Sequence, residues 1–233
     1  MKKLATTTAL AAALALSTGS AIAQENYSTA WSGHKNVIVN TSGIQGGAGV
    51  NGNVLNFPLL VRLGAADSAI FTASRPGGID IRFTKADNAT RLSHQIESWN
   101  ATTRTAAIWV LMDTVYGNRN AQHIRMHWGN ATAADSSSGP QVFRTTQGFQ
   151  AVWHMNGATD ASNELDATAN ALTATQNSSP LAAQGHIGGA RNLVNGTSDY
   201  FNVANSASTL NFMEYGTYTL SAWVNATTLA SHG

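Results

Sequence analysis

The chain has 233 residues and a nearly balanced charge, with 13 Lys and Arg residues against 12 Asp and Glu residues. Charged residues make up 11% of the sequence, against roughly 25% in typical soluble domains, and this composition argues against a nucleic-acid partner. The sequence contains no Cys, so the fold cannot depend on disulfides and must be stabilised by its core.

The N-terminus has the three parts of a secretory signal in order. Residues 1–3 carry two lysines, residues 4–16 form an apolar, alanine-rich run, and Ala21-Ile22-Ala23 supplies the small residues that precede a cleavage site. Residues 1–23 are therefore predicted to be a signal peptide, and the mature chain is expected in the periplasm, on the cell surface or outside the cell. No later stretch approaches the roughly 20 apolar residues of a spanning helix, so no transmembrane segment is predicted in the mature chain.

Short segments rich in β-branched and aromatic residues then recur between turn-forming clusters of Gly, Pro and Asn. The segments before the middle of the chain are residues 37–39, 57–63, 79–83, 91–99, 105–112 and 123–128. Alternation is visible in them: Ile79, Ile81 and Phe83 are expected on one face of a strand, and Asp80 and Arg82 on the other. This pattern predicts an all-β fold, an antiparallel β-sandwich of the jelly-roll kind.

A second run of strand-like segments follows a polar stretch at residues 131–147. Its segments are residues 149–154, 200–203 and 217–224, and the polar residues between them predict long loops with one weak strand near Leu172. Two domains are therefore predicted, at residues 24–147 and 148–233. We expect the second domain to be incomplete, because too few strands are present to close its sheets, and proteolysis is expected to leave a protected core from about Val37 to Gln147.

Five motifs in the first run resemble a bacterial family called domain of unknown function 2341, an exported β-sandwich module. The motifs lie at residues 56–63, 78–84, 94–100, 109–110 and 127–130. The activity of that family is uncharacterised, so the resemblance implies no catalytic residue.

Motifs in the second run resemble the opening half of a laminin-G-like, concanavalin A-like lectin domain. They lie at residues 152–155, 188–190, 198–203 and 218–224. The resemblance implies a partial concanavalin A-like β-sandwich at residues 148–233. The pairing of these two modules is familiar in bacterial surface and envelope proteins, some of which carry parts related to energy-transducing membrane complexes.

Two short motifs have the spacing of known sites but not their context. Residues 47–52 satisfy the G-x-G-x-x-G pattern of a dinucleotide-binding turn, yet a strand pattern containing Pro58 follows where a helix is required, so a flexible connection is predicted. His123 and His127 have the spacing of two metal ligands on a helix. On a strand they would lie about 13 Å apart, too far to share one ion, and are expected to be exposed.

The acidic segment around residue 164 allows two interpretations. Glu164 and Asp166 begin the E-x-D-x-x-E pattern of glycosidases with a concanavalin A-like fold, but the third position is Ala169, so one of the two required carboxylates is missing and no catalytic residue is predicted. Calcium is the other interpretation, since it binds several oxygen ligands. The candidate calcium ligands are Asp160, Glu164, Asp166 and Asn170.

Aromatic side chains offer a further candidate site. Exposed tryptophans stack on sugar rings, but core packing is the stronger expectation because Trp buries a large area, above all for Trp128 and Trp223, which lie within strand patterns. The same two alternatives, sugar stacking and core packing, apply to Trp99, Trp109 and Trp153.

Together these features predict an exported, non-catalytic binding or adhesion protein that recognises carbohydrate or a component of the cell envelope or surface. No cofactor is predicted, calcium is left open as a ligand of the acidic segment, and the oligomeric state also stays open. The first alternative is a polysaccharide-degrading enzyme whose catalytic part lies beyond Gly233. The second is a structural accessory of an envelope transport complex.

Overall fold

The computed structural model describes residues 25–194, 196–204, 209–211 and 216–226. The predicted signal peptide at residues 1–23 and the final residues 227–233 lie outside the described residues. Within the described part of the chain, no helix is long and apolar enough to cross a membrane.

The described residues form mainly β-strands, joined by turns and short helices. The strands are β1 (Gly33–Val39), β2 (Val54–Leu63), β3 (Arg82–Lys85), β4 (Arg91–Leu92), β5 (His94–Asn100), β6 (Thr105–Val115), β7 (Gln122–Trp128), β8 (Ala174–Asn177), β9 (Leu181–Gln184), β10 (Gly189–Asn192) and β11 (Tyr200–Val203). The α-helices are α1 (Ser68–Ala73) and α2 (Gly139–Val142). The all-β prediction is confirmed.

Strands β1 to β7 form two antiparallel sheets that pack face to face. The four-stranded sheet has the order β1-β7-β3-β4, and the three-stranded sheet has the order β2-β6-β5. Successive side chains of a strand point to opposite faces, so apolar residues at every second position line one face of each sheet. The core lies between these faces, where Phe83, Ile108, Val110 and Met126 are fully buried. The predicted antiparallel β-sandwich is confirmed.

The structure differs from the prediction at residues 79–83. Strand β3 begins only at Arg82, because Pro76–Gly78 form a tight 3-10 turn in which Gly77 has a φ of 75°. Ile81 and Phe83 enter the core as expected, but Asp80 and Arg82 are buried as well, at 0% and 2% exposure. An N-terminal segment covers them: the Trp31 indole donates a hydrogen bond to the Asp80 carbonyl at 2.8 Å and lies against the Arg82 guanidinium.

The chain after Gln147 first packs on the outer face of the three-stranded sheet. Phe149 and Val152 contact a small apolar cluster that includes Leu111 and Phe143. The predicted strand at residues 149–154 does not form, since this segment makes a single isolated bridge, from Trp153 to Asp166. Residues 149–154 are therefore held by packing against the three-stranded sheet rather than by pairing with another strand.

Two strand pairs complete the described fold, β8 with β11 and β9 with β10. The predicted strand at residues 200–203 is confirmed as β11, and the weak strand expected near Leu172 corresponds to β8. Residues 217–224 do not form the predicted strand: no described strand pairs with them, and Leu220, Trp223 and Val224 are more than 70% exposed. Without a partner strand, their alternating pattern has no sheet on which to bury its apolar face.

Candidate functional site

Glu164 is the acid shared by the glycosidase and the calcium interpretations of its segment. Its side chain is buried and paired with an arginine. Its carboxylate accepts a hydrogen bond from Arg191 Nε at 2.5 Å, and both side chains are almost completely buried. The remaining nitrogens of Arg191 donate to the carbonyl oxygens of Thr159, Ser162 and Pro180. The pair therefore ties β10 to the loop before Glu164, and the carboxylate does not face solvent, where it could meet a substrate or an ion.

The other three candidate calcium ligands are engaged separately. The Asp166 carboxylate accepts hydrogen bonds from the backbone amides of residues 152, 168 and 172. Asp160 accepts from the Ala182 amide, and the Asn170 amide donates to the Gln150 carbonyl. Among the described residues, no group of three or more His, Asp and Glu side chains is placed to hold a metal ion. The prediction of calcium gains no support from this arrangement.

The two histidines of β7 lie on the outer face of the four-stranded sheet. His123 is half-buried, but His127 is 1% exposed, contrary to the expectation that both are exposed. Tyr27 covers the His127 ring, with 4.9 Å between the ring centroids. Burial, together with the smaller effects of His34 and Arg125, lowers the pKa of His127 to about 4. His127 is therefore a neutral, structural side chain at physiological pH.

The rest of this outer face is mainly polar and carries one arginine. The antiparallel register places His34 beside His127, Asn36 beside Arg125 and Ile38 beside His123. We call five side chains of these two strands the β1–β7 face: His34, Asn36 and Ile38, which are exposed, and His123 and Arg125, which are half-buried. Strands β1 and β7 contain no Asp or Glu. The face can therefore attract an anion and donate hydrogen bonds to it.

A buried polar contact joins the sandwich to the chain that follows it. Strand β5 has an irregularity between Ile96 and Ser98, which leaves Glu97 outside the regular pairing with β6. Its carboxylate lies 3.2 Å from His154 Nδ1 and accepts a hydrogen bond from the Trp109 indole at 2.6 Å. The backbone of Gly188, at a φ of 58°, approaches the same carboxylate so closely that a Cβ there would collide with it.

Both side chains of this Glu97–His154 contact are buried, with side-chain exposures of 2% and 9%. The second ring nitrogen of His154 faces Gln95 Oε1 at 3.1 Å, and the Asn156 amide donates to the Glu97 carbonyl at 2.8 Å. All these partners belong to the protein. The contact therefore holds residues 154–156 against β5 and does not present a reactive group to solvent.

These strands and this contact coincide with a known family. Residues 77–159 match the Domain of unknown function (DUF2341). The DUF2341 segment contains β3 to β7 and continues past Gln147 to include His154, so both partners of the Glu97–His154 contact lie inside it. Strands β1 and β2 precede the match. No curated protein and no solved structure matches the chain.

The five tryptophans that were candidates for sugar stacking fall into two groups by exposure. Trp99, Trp109, Trp128 and Trp153 are half-buried. Trp223 is 74% exposed, so the expectation that it packs in a core is wrong. Its ring lies 4.3 Å from the ring of His186, centroid to centroid, and the His186 carbonyl accepts a hydrogen bond from Arg62 at 2.6 Å. We call Trp223, His186 and Arg62 the Trp223 platform.

The sequence indicates only part of the β1–β7 face and of the Trp223 platform. Strand spacing places His123, Arg125 and His127 on one side of β7, but it cannot show that β1 adds His34 beside them, because the two strands are far apart in the sequence. For Trp223 alternation favoured burial, because it carries no information on whether a partner sheet is present.

Proposed function

We propose that this chain is an exported, non-catalytic binding or adhesion protein that recognises carbohydrate or another component of the cell envelope or surface. The exposure of Trp223 is the observation that carries the proposal. A large aromatic ring left 74% exposed loses the favourable burial that Trp normally gains. Exposed aromatic residues of this kind are characteristic of binding surfaces.

The surroundings of Trp223 support a sugar ligand. The His186 ring lies against one side of the indole, with 4.3 Å between the ring centroids. His186 and Arg62 are both exposed and bring hydrogen-bond donors beside the ring. A pyranose offers an apolar C–H face and a rim of hydroxyl groups, which suits an aromatic plane bordered by polar groups.

The resemblance of residues 148–233 to the opening half of a laminin-G-like, concanavalin A-like lectin domain also supports a carbohydrate ligand. Export is supported by the composition of residues 1–23. The DUF2341 segment adds no ligand, because the function of its family is unknown.

Retention of the full chain on insoluble polysaccharides, together with a glycan array, tests the proposal. We expect retention without release of soluble sugar, and we expect Trp223→Ala to weaken it about tenfold, as for other aromatic anchors. Tyr116→Ala is the matched control, since Tyr116 is an aromatic residue, 49% exposed, on the turn between β6 and β7.

Three outcomes would count against the proposal. Equal retention of Trp223→Ala and wild type would remove the Trp223 platform as the site. An array and a retention assay that are both blank would remove carbohydrate as the ligand class. Release of soluble oligosaccharide by the purified chain would favour a polysaccharide-degrading enzyme.

A further inference from the structure

We propose that the β1–β7 face is a second binding site, specific for an acidic polysaccharide, and that its carboxylates pair with Arg125, His34 and His123. The site lies on the outer side of the four-stranded sheet, whereas Arg62 of the Trp223 platform lies on the outer side of the three-stranded sheet. The two surfaces therefore face away from each other, and this proposal does not depend on the function of Trp223.

Arg125 is the central cation of the face and has donors to spare. Its Nε donates to the Asn36 side chain at 3.2 Å, which fixes the orientation of the guanidinium across the two strands. In the described ranges, neither of its terminal nitrogens has a hydrogen-bond acceptor, and no Asp or Glu pairs with it. A guanidinium in this state can bind a carboxylate through two parallel hydrogen bonds.

Two histidines of the face flank Arg125, the exposed His34 and the half-buried His123. His34 lies towards one end of β1, and His123 lies beside Ile38 towards the other end. Glu25, an acid of the adjoining N-terminal segment, is already paired with Arg82 and Arg91, at 3.2 and 3.6 Å. This acid is therefore held over β3 and β4 and does not neutralise the β1–β7 face.

A buried histidine, His127, lies next to the face on the same side of the sheet. His127 lies between His34 and Arg82 in the sheet, and its Nδ1 is buried with no hydrogen-bond partner among the described residues. Its pKa is lowered first by burial and then by His34 and Arg125. His34 and Arg125 therefore lie close enough to His127 to disfavour its protonation.

The shape of the face favours an extended polymer. Side chains two positions apart on a strand are spaced by roughly 6.6 to 6.8 Å, so His34, Asn36 and Ile38 form a row about 13 Å long. The Asn36 amide can bind sugar hydroxyls, and Ile38, which is 57% exposed, offers an apolar contact to a ring. A polysaccharide lying along β1 would contact the His34 imidazole, the Asn36 amide and the Ile38 side chain in turn.

Other polyanions fit this face less well. Nucleic-acid binding depends on many Lys and Arg contacts to phosphates, and an anionic membrane attracts clusters of roughly four to eight such residues. The β1–β7 face has one arginine, and Lys35, the lysine of β1, is paired with Asp67. A polymer with one carboxylate per sugar matches this lower charge density.

The proposal is tested with the full chain and two forms of one polymer. Polygalacturonate carries a carboxylate on each sugar, and its fully methyl-esterified form has the same backbone without the charge. We expect measurable binding to polygalacturonate in affinity electrophoresis, weakened by salt, and at least about tenfold weaker binding to the ester, in keeping with a charge-assisted contact.

Three variants define the site. Arg125→Gln is expected to weaken polygalacturonate binding about tenfold, whereas Arg104→Gln, the same change at an exposed arginine in the turn between β5 and β6, is expected to leave it unchanged. Asn36→Asp introduces an acid at an exposed position with no core contact, and we expect it to abolish binding. Unchanged thermal unfolding of each variant shows that it is folded, and Trp223→Ala is expected to bind polygalacturonate like wild type.

The proposal is overturned if the acid and ester forms bind equally, if neither binds, or if Arg104→Gln weakens binding as much as Arg125→Gln. It is also overturned if single-stranded DNA or phosphatidylglycerol vesicles compete as well as polygalacturonate at equal charge, since the face would then select charge alone.

Discussion

The sandwich of β1 to β7 and the region from β8 onwards use the same kinds of residues but differ in what lies opposite their strands. In the sandwich, each sheet faces another sheet, and the apolar side chains of β6 are buried almost without exception. Every residue of β9 is exposed, although its sequence is largely apolar. The difference shows that strand propensity places β-structure in both regions, whereas a facing sheet is required to bury it.

The test with the largest expected effect on the free energy of unfolding removes one apolar side chain from each region. Ile108→Ala leaves a cavity at a position with 0% exposure, and we expect it to lower the free energy of unfolding by about 4 kcal/mol. Leu181→Ala in β9, which is 47% exposed, is expected to cost less than about 0.5 kcal/mol. Urea denaturation measures both, and similar costs would mean that β9 is buried in solution.

The next test concerns the buried pair that holds the later region together. Glu164→Ala leaves Arg191 buried without its partner, and we expect a local loss of about 3 kcal/mol. Hydrogen exchange should detect it as faster exchange in β9 and β10, with the sandwich unchanged. Asp113→Asn removes the exposed pair with Lys85 and should cost less than about 1 kcal/mol. Uniform acceleration across the chain would show that the two regions unfold as one unit.

Acid should destabilise the sandwich through two buried histidines. Burial, with nearby arginine charges, lowers the pKa of His94 to about 3, and burial lowers that of His127 to about 4. Between about pH 6.5 and 4.5 the unfolded chain therefore binds protons that the folded chain does not, so the free energy of unfolding falls as the pH falls.

The expected loss is about 2 to 3 kcal/mol per histidine, at about 1.4 kcal/mol for each pH unit. His94→Leu should reduce the slope of the free energy of unfolding against pH, and His186→Gln, at an exposed position, should not. A slope that is the same in wild type and His94→Leu would contradict the assignment.

The smallest expected effect is at the Glu97–His154 contact, on the border between the two regions. Because Phe149 and Val152 pack on the sandwich, limited proteolysis of the wild type should leave a core that ends after β8 rather than at Gln147. His154→Gln should cost about 1 kcal/mol and move the first cut towards residue 148. Mass spectrometry of the fragments locates the cut, and a wild-type core ending at Gln147 would show that this packing is weak.

Alternation in the sequence was enough to predict the sandwich because it records which face of a strand is apolar. It grouped Ile81 and Phe83 on one face, which is buried in the core, and it identified residues 200–203 as a strand. It failed where burial depends on distant segments. Asp80 is buried because its carboxylate accepts hydrogen bonds from the amides of residues 75, 129 and 130, and nothing near Asp80 in the sequence indicates those partners.

The candidate site was harder to predict for the same reason. Glu164 looked like an available acid because Arg191, its partner, lies 27 residues later. The β1–β7 face requires β1 and β7 to be neighbours, and Trp223 became a candidate only because the structure leaves it without a covering sheet. Spacing along one strand can be read from sequence, whereas the choice of partner strand cannot.

The pairing of β1 with β7 also constrains the order in which the molecule can fold. In the described residues β1 has no other strand partner, and the Ser32 side chain is bonded to the Gly129 carbonyl 97 residues later. Chain closure over that distance is slow compared with local pairing. In a chain that emerges N-terminus first, β1 therefore stays unpaired until β7 has emerged, so the four-stranded sheet can close only after most of the sandwich has been made.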